Sequence, residues 1–177
     1  MRVLNKAIHP EYNPSVDPVL FNRTAARGII MNGDDILLIY TKRYNDYSFP
    51  GGGVDDNEDI LEGLRRELNE ETGAQNISVK EPFGIYEEIR STHYEGYDYM
   101  DMKSYFYKCS ADKELGEASP EDYEVKNGSE PVWVNILEAI AHNKKVISAK
   151  EASMGLSIVR ETEVLEMVVE DLLSGIA

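Results

Sequence analysis

Three glutamates, Glu67, Glu70 and Glu71, sit close together in the stretch RRELNEETG, residues 65–73. On a helix advancing about 100° per residue, the i, i+3 and i+4 positions share one sector roughly 100° wide. Left alone, the three carboxylates would repel one another, raise at least one pKa and weaken the helix. A divalent cation removes that cost. Magnesium takes oxygen ligands, and a few carboxylates plus phosphate oxygens suit it. A solvated acidic helix face is the plainer alternative. Arg66 could offset surface charge, or it could pair with a carboxylate and fix its rotamer. Glu58 is a candidate partner. Eight residues earlier on the same helix it would stand about 80° from eclipsed, sharing a side only loosely.

The helix that must carry these acids is legible in DNEDILEGLRRELNEETGA, residues 56–74. Asp56 or Asn57 is placed to cap it, with Glu58 and Asp59 in its first turn, where acids suit the positive end. Ile60, Leu61, Leu64 and Leu68 recur at helical spacing, and Gly73 follows as a stop. Just upstream, SFPGGGV (48–54) allows close backbone approach and unusual dihedrals. The D-x-N-x-D match at Asp55, Asn57 and Asp59 is not a calcium loop. Its sixth position is Ile60 instead of glycine, and its twelfth is Arg66 instead of a bidentate glutamate. Neither G-x-G-x-x-G nor a glycine–lysine–Ser/Thr phosphate loop is present.

Strands are expected at residues 25–31 and 36–41, joined at Asn32-Gly33, a strong hairpin signal. Further strands are expected at 77–90, 99–108 and 131–134, the last short and buried. Helices are expected at 136–142 and 156–173, and a polar surface loop at 112–128. Residues 1–23 read as an irregular N-terminal arm, with an edge strand at 2–8. Residues 24–177 read as a single domain. This order of elements predicts an α/β (α+β) fold, a mixed β-sheet covered by helices.

The glycine loop and acid helix together resemble the Nudix hydrolase family, in its MutT-like form. Gly52, Glu58, Arg66, Glu67, Leu68, Glu70, Glu71 and Gly73 all stand in register with that family's box. Ala74 departs from the usual larger aliphatic residue. FPGG at 49–52 and PVWV at 131–134 also fit. The resemblance implies a Nudix fold, a mixed sheet sandwiched between helices. It implies hydrolysis of a diphosphate bond in a nucleoside diphosphate linked to another moiety. It implies Mg²⁺ or Mn²⁺ held by Glu67, Glu70, Glu71 and the Gly51 carbonyl, with Arg66 and Glu58 orienting these groups. For the general base, family practice leaves Glu70 beside Glu114, Glu117, Glu121, Asp122 and Glu124, with Glu70 preferred. Neither the ADP-ribose nor the diadenosine-polyphosphate marker residue is present. Pro82 and Tyr86 stand too near the box, and Tyr94 too far.

Lys42, Arg43 and Arg90 are candidates to meet substrate phosphate oxygens, each also explicable as a solvated charge. Tyr94, Tyr97 and Tyr99, next to His93, would serve either as a base-stacking platform or as ordinary strand alternation. Trp133 is expected in the core.

Composition narrows the partners. A net charge of −15 repels polyanions, which excludes tight binding to long nucleic acid. A small anionic substrate would need a local positive centre, which a bound metal supplies. The longest apolar runs, such as ILLI at 36–39, are too short to span a membrane. The N-terminus has no apolar core of signal-peptide length, so a cytoplasmic protein is expected. The single cysteine, Cys109, cannot form an internal disulfide and reads as a small buried residue. The arm and the last helix are candidates for a homodimer contact. The rival from another class is a Nudix-fold module that binds a nucleotide without cleaving it. The intact trio of glutamates argues for catalysis.

Overall fold

The computed structural model describes residues 1–175. In chain order the elements are β1 (Val3–Ile8), β2 (Leu20–Asn32), β3 (Asp35–Thr41), β4 (Asp46–Ser48), β5 (Gly51–Gly53), α1 (Ile60–Thr72), β6 (Ser78–Arg90), β7 (Tyr99–Ser110), α2 (Asp122–Asn127), β8 (Ser129–Asn135), α3 (Ile136–Ala149) and α4 (Ile158–Ser174). The strands run in the order β1-β6-β7-β2-β3-β4, with β5 beside β2 and β8 beside β3. The β1–β6 and β2–β7 pairs are parallel and the others antiparallel, so the sheet is mixed as expected.

Side-chain alternation along β2 divides the core into two layers. Ala26 and Ile30 face one way and pack with Leu64 and Leu68 of α1. Ile29 faces the other way, into a cluster with Phe49, Phe106 and the α4 residues Val164 and Leu165. Leu64 and Leu68 are fully buried, each worth roughly 1.5–3 kcal/mol in apolar burial. Gly28 lets α1 approach: a Cβ there would meet Leu68 Cδ2 at 2.8 Å.

The sheet parts at β2, and this opening makes the site. Over Leu20–Ile30, β2 pairs with β7; its other edge pairs with β5 only at Ala25–Arg27. Just two residues, Met31 and Asn32, pair with β3. Beyond them β3 continues with β4 on one edge and β8 on the other. The β2–β3 loop is Gly33-Asp34, and Gly33 (φ 64°) fills the position where a type II′ turn takes glycine.

Several elements differ from the sequence reading. β2 starts at Leu20, running through residue 23, where the arm was expected to end. Its first residues are mixed in polarity because Arg23 lines the opening while Phe21 packs on the cluster of Ala25, Met100 and Met102. The arm's edge strand is β1, parallel to β6. The α1 cap is Asp59, whose Oδ1 accepts the Leu61 and Glu62 N–H groups at 3.0 and 3.1 Å, instead of Asp56 or Asn57. Glu58 therefore precedes the helix. The 112–128 segment is not all loop, since it contains α2. Strand β8 is longer than expected and only half-buried, with β3 as its one strand neighbour among the described residues. Trp133 is partly buried, and its indole N–H donates to the Lys113 carbonyl at 3.0 Å.

Candidate active site

The loop Phe49–Gly52 is gripped from both sides of the sheet. The Phe49 N–H donates to Glu161 Oε2 of α4 at 2.9 Å. The Gly51 N–H donates to Glu71 Oε2 of α1 at 2.6 Å. Gly51 has φ 137°, and any Cβ there would strike the Ala26 carbonyl, so only glycine fits. At Gly52, a Cβ would come within 2.5 Å of Glu67 Oε2. The missing side chain is the space in which the Glu67 carboxylate sits.

Arg66 gathers three of the acids. Its Nε and Nη2 donate to Glu58 Oε1 and Oε2 at 2.8 and 3.0 Å, a bidentate pair. Its Nη1 reaches Glu67 at 2.7 Å and Glu70 at 3.3 Å. The loose 80° relation expected between Glu58 and Arg66 does not apply, because Glu58 reaches back from the loop instead of along the helix. Hydrogen bonding to Arg66 holds the Glu58 carboxyl below its usual range. Burial pushes Glu67 up despite Arg66. Glu71 is pushed well up by burial and by the adjacent carboxyl of Glu124, against the pull of the Gly51 N–H. Glu124 is itself buried and accepts the Glu121 N–H at 2.7 Å, capping α2.

The donor set suits a hard divalent ion: carboxylate oxygens only, buried acids in contact, and repulsion that an ion would relieve. As the side chains stand, no three of them converge on an ion-sized site among the described residues. Arg66 occupies Glu67 and Glu70, and Gly51 occupies Glu71.

Glu71, Gly51 and Gly52 open onto a cavity of about 490 Å³. Its walls include Arg23 and Arg27 of β2, Asp46 of β4, Arg90 of β6, Tyr123 and Glu124 of α2, and Arg160 and Glu161 of α4. Arg160 is 1% exposed and pairs with Glu88 and Glu161 at 2.6 Å each. Arg160 and Arg27, with the Phe49 N–H, hold Glu161 below the usual range despite its burial. Burial, then the Glu161 charge, pushes Asp46 up to about 7.

Of the residues singled out in the sequence, Gly51, Glu71 and Arg90 line the cavity, and Glu67 abuts Gly52. Glu70 is 40% exposed and not among the lining residues. Lys42 and Arg43 are not among the lining residues. The Lys42 stem packs on Gly128, and Arg43 donates to Asn127 Oδ1 at 3.0 Å. Among the later acids, Glu124 lines the cavity. His93 and Tyr94 stack at its edge at 4.6 Å, with Phe21 4.4 Å from Tyr94, while Tyr99 packs on His9 and Tyr12 instead.

Arg23, Arg27, Asp46, Arg160 and Glu161 were missed in the sequence. A signal existed for Glu161. It lies on the apolar stripe Ile158–Leu165–Val168 of α4, where an unpaired acid would be costly.

The NUDIX domain model matches residues 22–154. Nudix hydrolase 12, mitochondrial, of Arabidopsis thaliana is 29% identical over 62% of this chain and 52% of its own length. An RNA pyrophosphohydrolase of Bartonella henselae is 37% identical over 38% of this chain and 39% of its own. The chain thus spans about half the length of the plant relative, and less of the bacterial one. The crystal structure of a MutT protein from Bacillus halodurans superposes with a TM-score of 0.50 at 27% identity, covering 67% of this chain and 72% of that one.

Proposed function

The chain belongs to the NUDIX domain family, and on that premise we propose that it is a metal-dependent hydrolase of a diphosphate bond in a nucleoside diphosphate linked to another moiety. The observation that carries this reading is the seam where Glu71 grips Gly51 and Glu67 fills the space over Gly52, at the edge of the 490 Å³ cavity. Glu67, Glu70 and Glu71 would hold Mg²⁺ or Mn²⁺ together with the Gly51 carbonyl. Bound there, the ion would neutralise the diphosphate and lower the pKa of an attacking water.

The other roles fall to the chain's own side chains. Arg66, held by Glu58, orients Glu67 and Glu70 and offsets their charge while no ion is bound. Arg90, from the cavity wall, would meet phosphate oxygens. Glu124 is the better general base than Glu70. It lines the cavity beside Glu71, while Glu70 is 40% exposed and bonded to Arg66. The substrate is small and nucleotide-like. The RNA in the bacterial relative's name is set aside, because that match covers little of this chain and a −15 surface repels a polyanion. No helix among the described residues is long and apolar enough to cross a membrane. A cytoplasmic location and a homodimer through the arm or α4 belong to the same proposal.

The test is incubation with Mg²⁺ and a panel of ADP-ribose, dinucleotides, nucleoside triphosphates and nucleotide sugars, reading phosphate released after phosphatase treatment. Release from at least one is expected. Nucleotide binding with no release from any would replace the hydrolase with a sensor.

A further inference from the structure

Arginine is the unusual feature of the cavity. The chain has 33 acidic and 18 basic residues, so carboxylates are plentiful. Yet Arg23, Arg27 and Arg90 each bury an Nε–H with no hydrogen-bond partner among the described residues. Buried guanidinium groups are normally paired, because an unsatisfied charged donor is costly.

The three converge by register. Arg23 and Arg27, four residues apart on β2, point to the same face. Arg23 lies beside Met102 of β7, and Arg90 beside Met100, two residues along the same strand. All three line the one cavity. Existing contacts leave most of their donors free. Arg27 Nη1 donates to the Phe49 carbonyl at 3.3 Å, and its Nε is 3.8 Å from Glu161. Arg90 Nη1 donates to Ser157 Oγ at 3.2 Å. Neither Arg23 nor Arg90 forms an ion pair among the described residues, while the nearby Arg160 takes both Glu88 and Glu161.

We infer that Arg23, Arg27 and Arg90 form a metal-independent subsite for a dianionic phosphoryl group, on the sheet wall of the cavity opposite the acid helix. Guanidinium forks match phosphate oxygens and offer donors along two edges. Three of them exceed what a carboxylate's single charge would balance, and a phosphate monoester near neutral pH carries close to two. Burial, then the Arg160 charge, lowers the Arg90 pKa against the pull of Glu88. The inference deepens the proposed function. The ligand would carry a phosphoryl group held by arginines in addition to the oxygens held through the acids.

The test uses the intact protein in EDTA with inorganic phosphate as probe, followed by calorimetry at matched ionic strength. Phosphate is expected to bind wild type, to be displaced by sulfate and not by acetate, and to bind at least tenfold more weakly to Arg23→Ala and Arg90→Ala. Arg23→Gln and Arg90→Gln, with circular dichroism melts, serve where an alanine variant fails to fold. Absence of phosphate binding to wild type at about 10 mM phosphate, tenfold beyond a millimolar Kd, or equal binding by the arginine variants, would overturn the subsite. Because no metal is present, this result is independent of whether hydrolysis is found.

Discussion

Glu58 and Arg66 form a bidentate ion pair across the start of α1, at 2.8 and 3.0 Å, although one lies in the loop and the other on the helix. The same guanidinium touches Glu67 and Glu70. Glu58 thus fixes the arginine that fixes two of the trio, Glu67 and Glu70. Gly63 makes room for it, since a Cβ there would lie 2.9 Å from Glu58 Oε2. Glu58→Gln and Arg66→Gln should each lower turnover and Mn²⁺ affinity about 10–100-fold, as losses of orienting partners do. The double variant should lose little more than the worse single one. Additive losses would show that the pair does not act as a unit.

Glu124 lines the cavity beside Glu71 and also caps α2. Gln at 124 still accepts the Glu121 N–H, so the helix should persist. Glu124→Gln should cut kcat about 10²–10⁴-fold, the range for a lost general base, with Mn²⁺ affinity unchanged. A parallel loss of Mn²⁺ affinity would make Glu124 a ligand, and unchanged kcat would return the base role to Glu70.

Asp46 carries a pH-dependent cost. Its carboxyl is raised from an ordinary 3.8 to about 7 by burial and by Glu161. Between those values the folded chain holds a proton that the unfolded chain has released. Stability contributed by this group therefore falls as pH rises from 4 to 7, and the penalty is complete above 7. Its upper size is about 4 kcal/mol at 1.36 kcal/mol per pH unit. Asp46→Asn should raise Tm at pH 8 and change it little at pH 4. Equal shifts at both pH values would refute the assignment.

Cys109 is 8% exposed, and burial pushes its thiol up to about 12. Its Sγ–H donates to the Tyr107 carbonyl at 3.5 Å. The thiolate is the reactive form. A disulfide reagent at pH 8 should leave the native protein almost unmodified and label it promptly in denaturant. Rapid labelling of the native state would show that β7 opens locally.

What could be read from the sequence followed from local spacing. Glu67, Glu70 and Glu71 lie on one continuous helix that Gly73 caps, so the periodicity of α1 was enough to place them. The mixed sheet between helices followed from the order of elements. Glu58 was recognised by its register with the family box, but its geometry was not, because cap residues compete: Asp56, Asn57 and Asp59 are all good caps, and Asp59 is the one used. The arginine wall was not legible. Arg23, Arg27, Arg90 and Arg160 come from three elements that meet only when β2 and β6 flank β7 and α4 joins them at the cavity, and nothing near each arginine signals the others. Lys42 and Arg43 show the converse, basic residues beside the right loop that pack elsewhere.

The central claim, hydrolysis through a metal held by the acid helix, is tested most directly by turnover as a function of Mg²⁺ in wild type and Glu70→Gln. Glu70 is 40% exposed, so the variant should fold normally by circular dichroism. The account predicts no turnover of the best panel substrate in EDTA, saturating turnover as Mg²⁺ is added, and a loss of about 10²-fold or more in the variant at saturating substrate. Turnover that persists in EDTA, or near-normal turnover in Glu70→Gln, would contradict it.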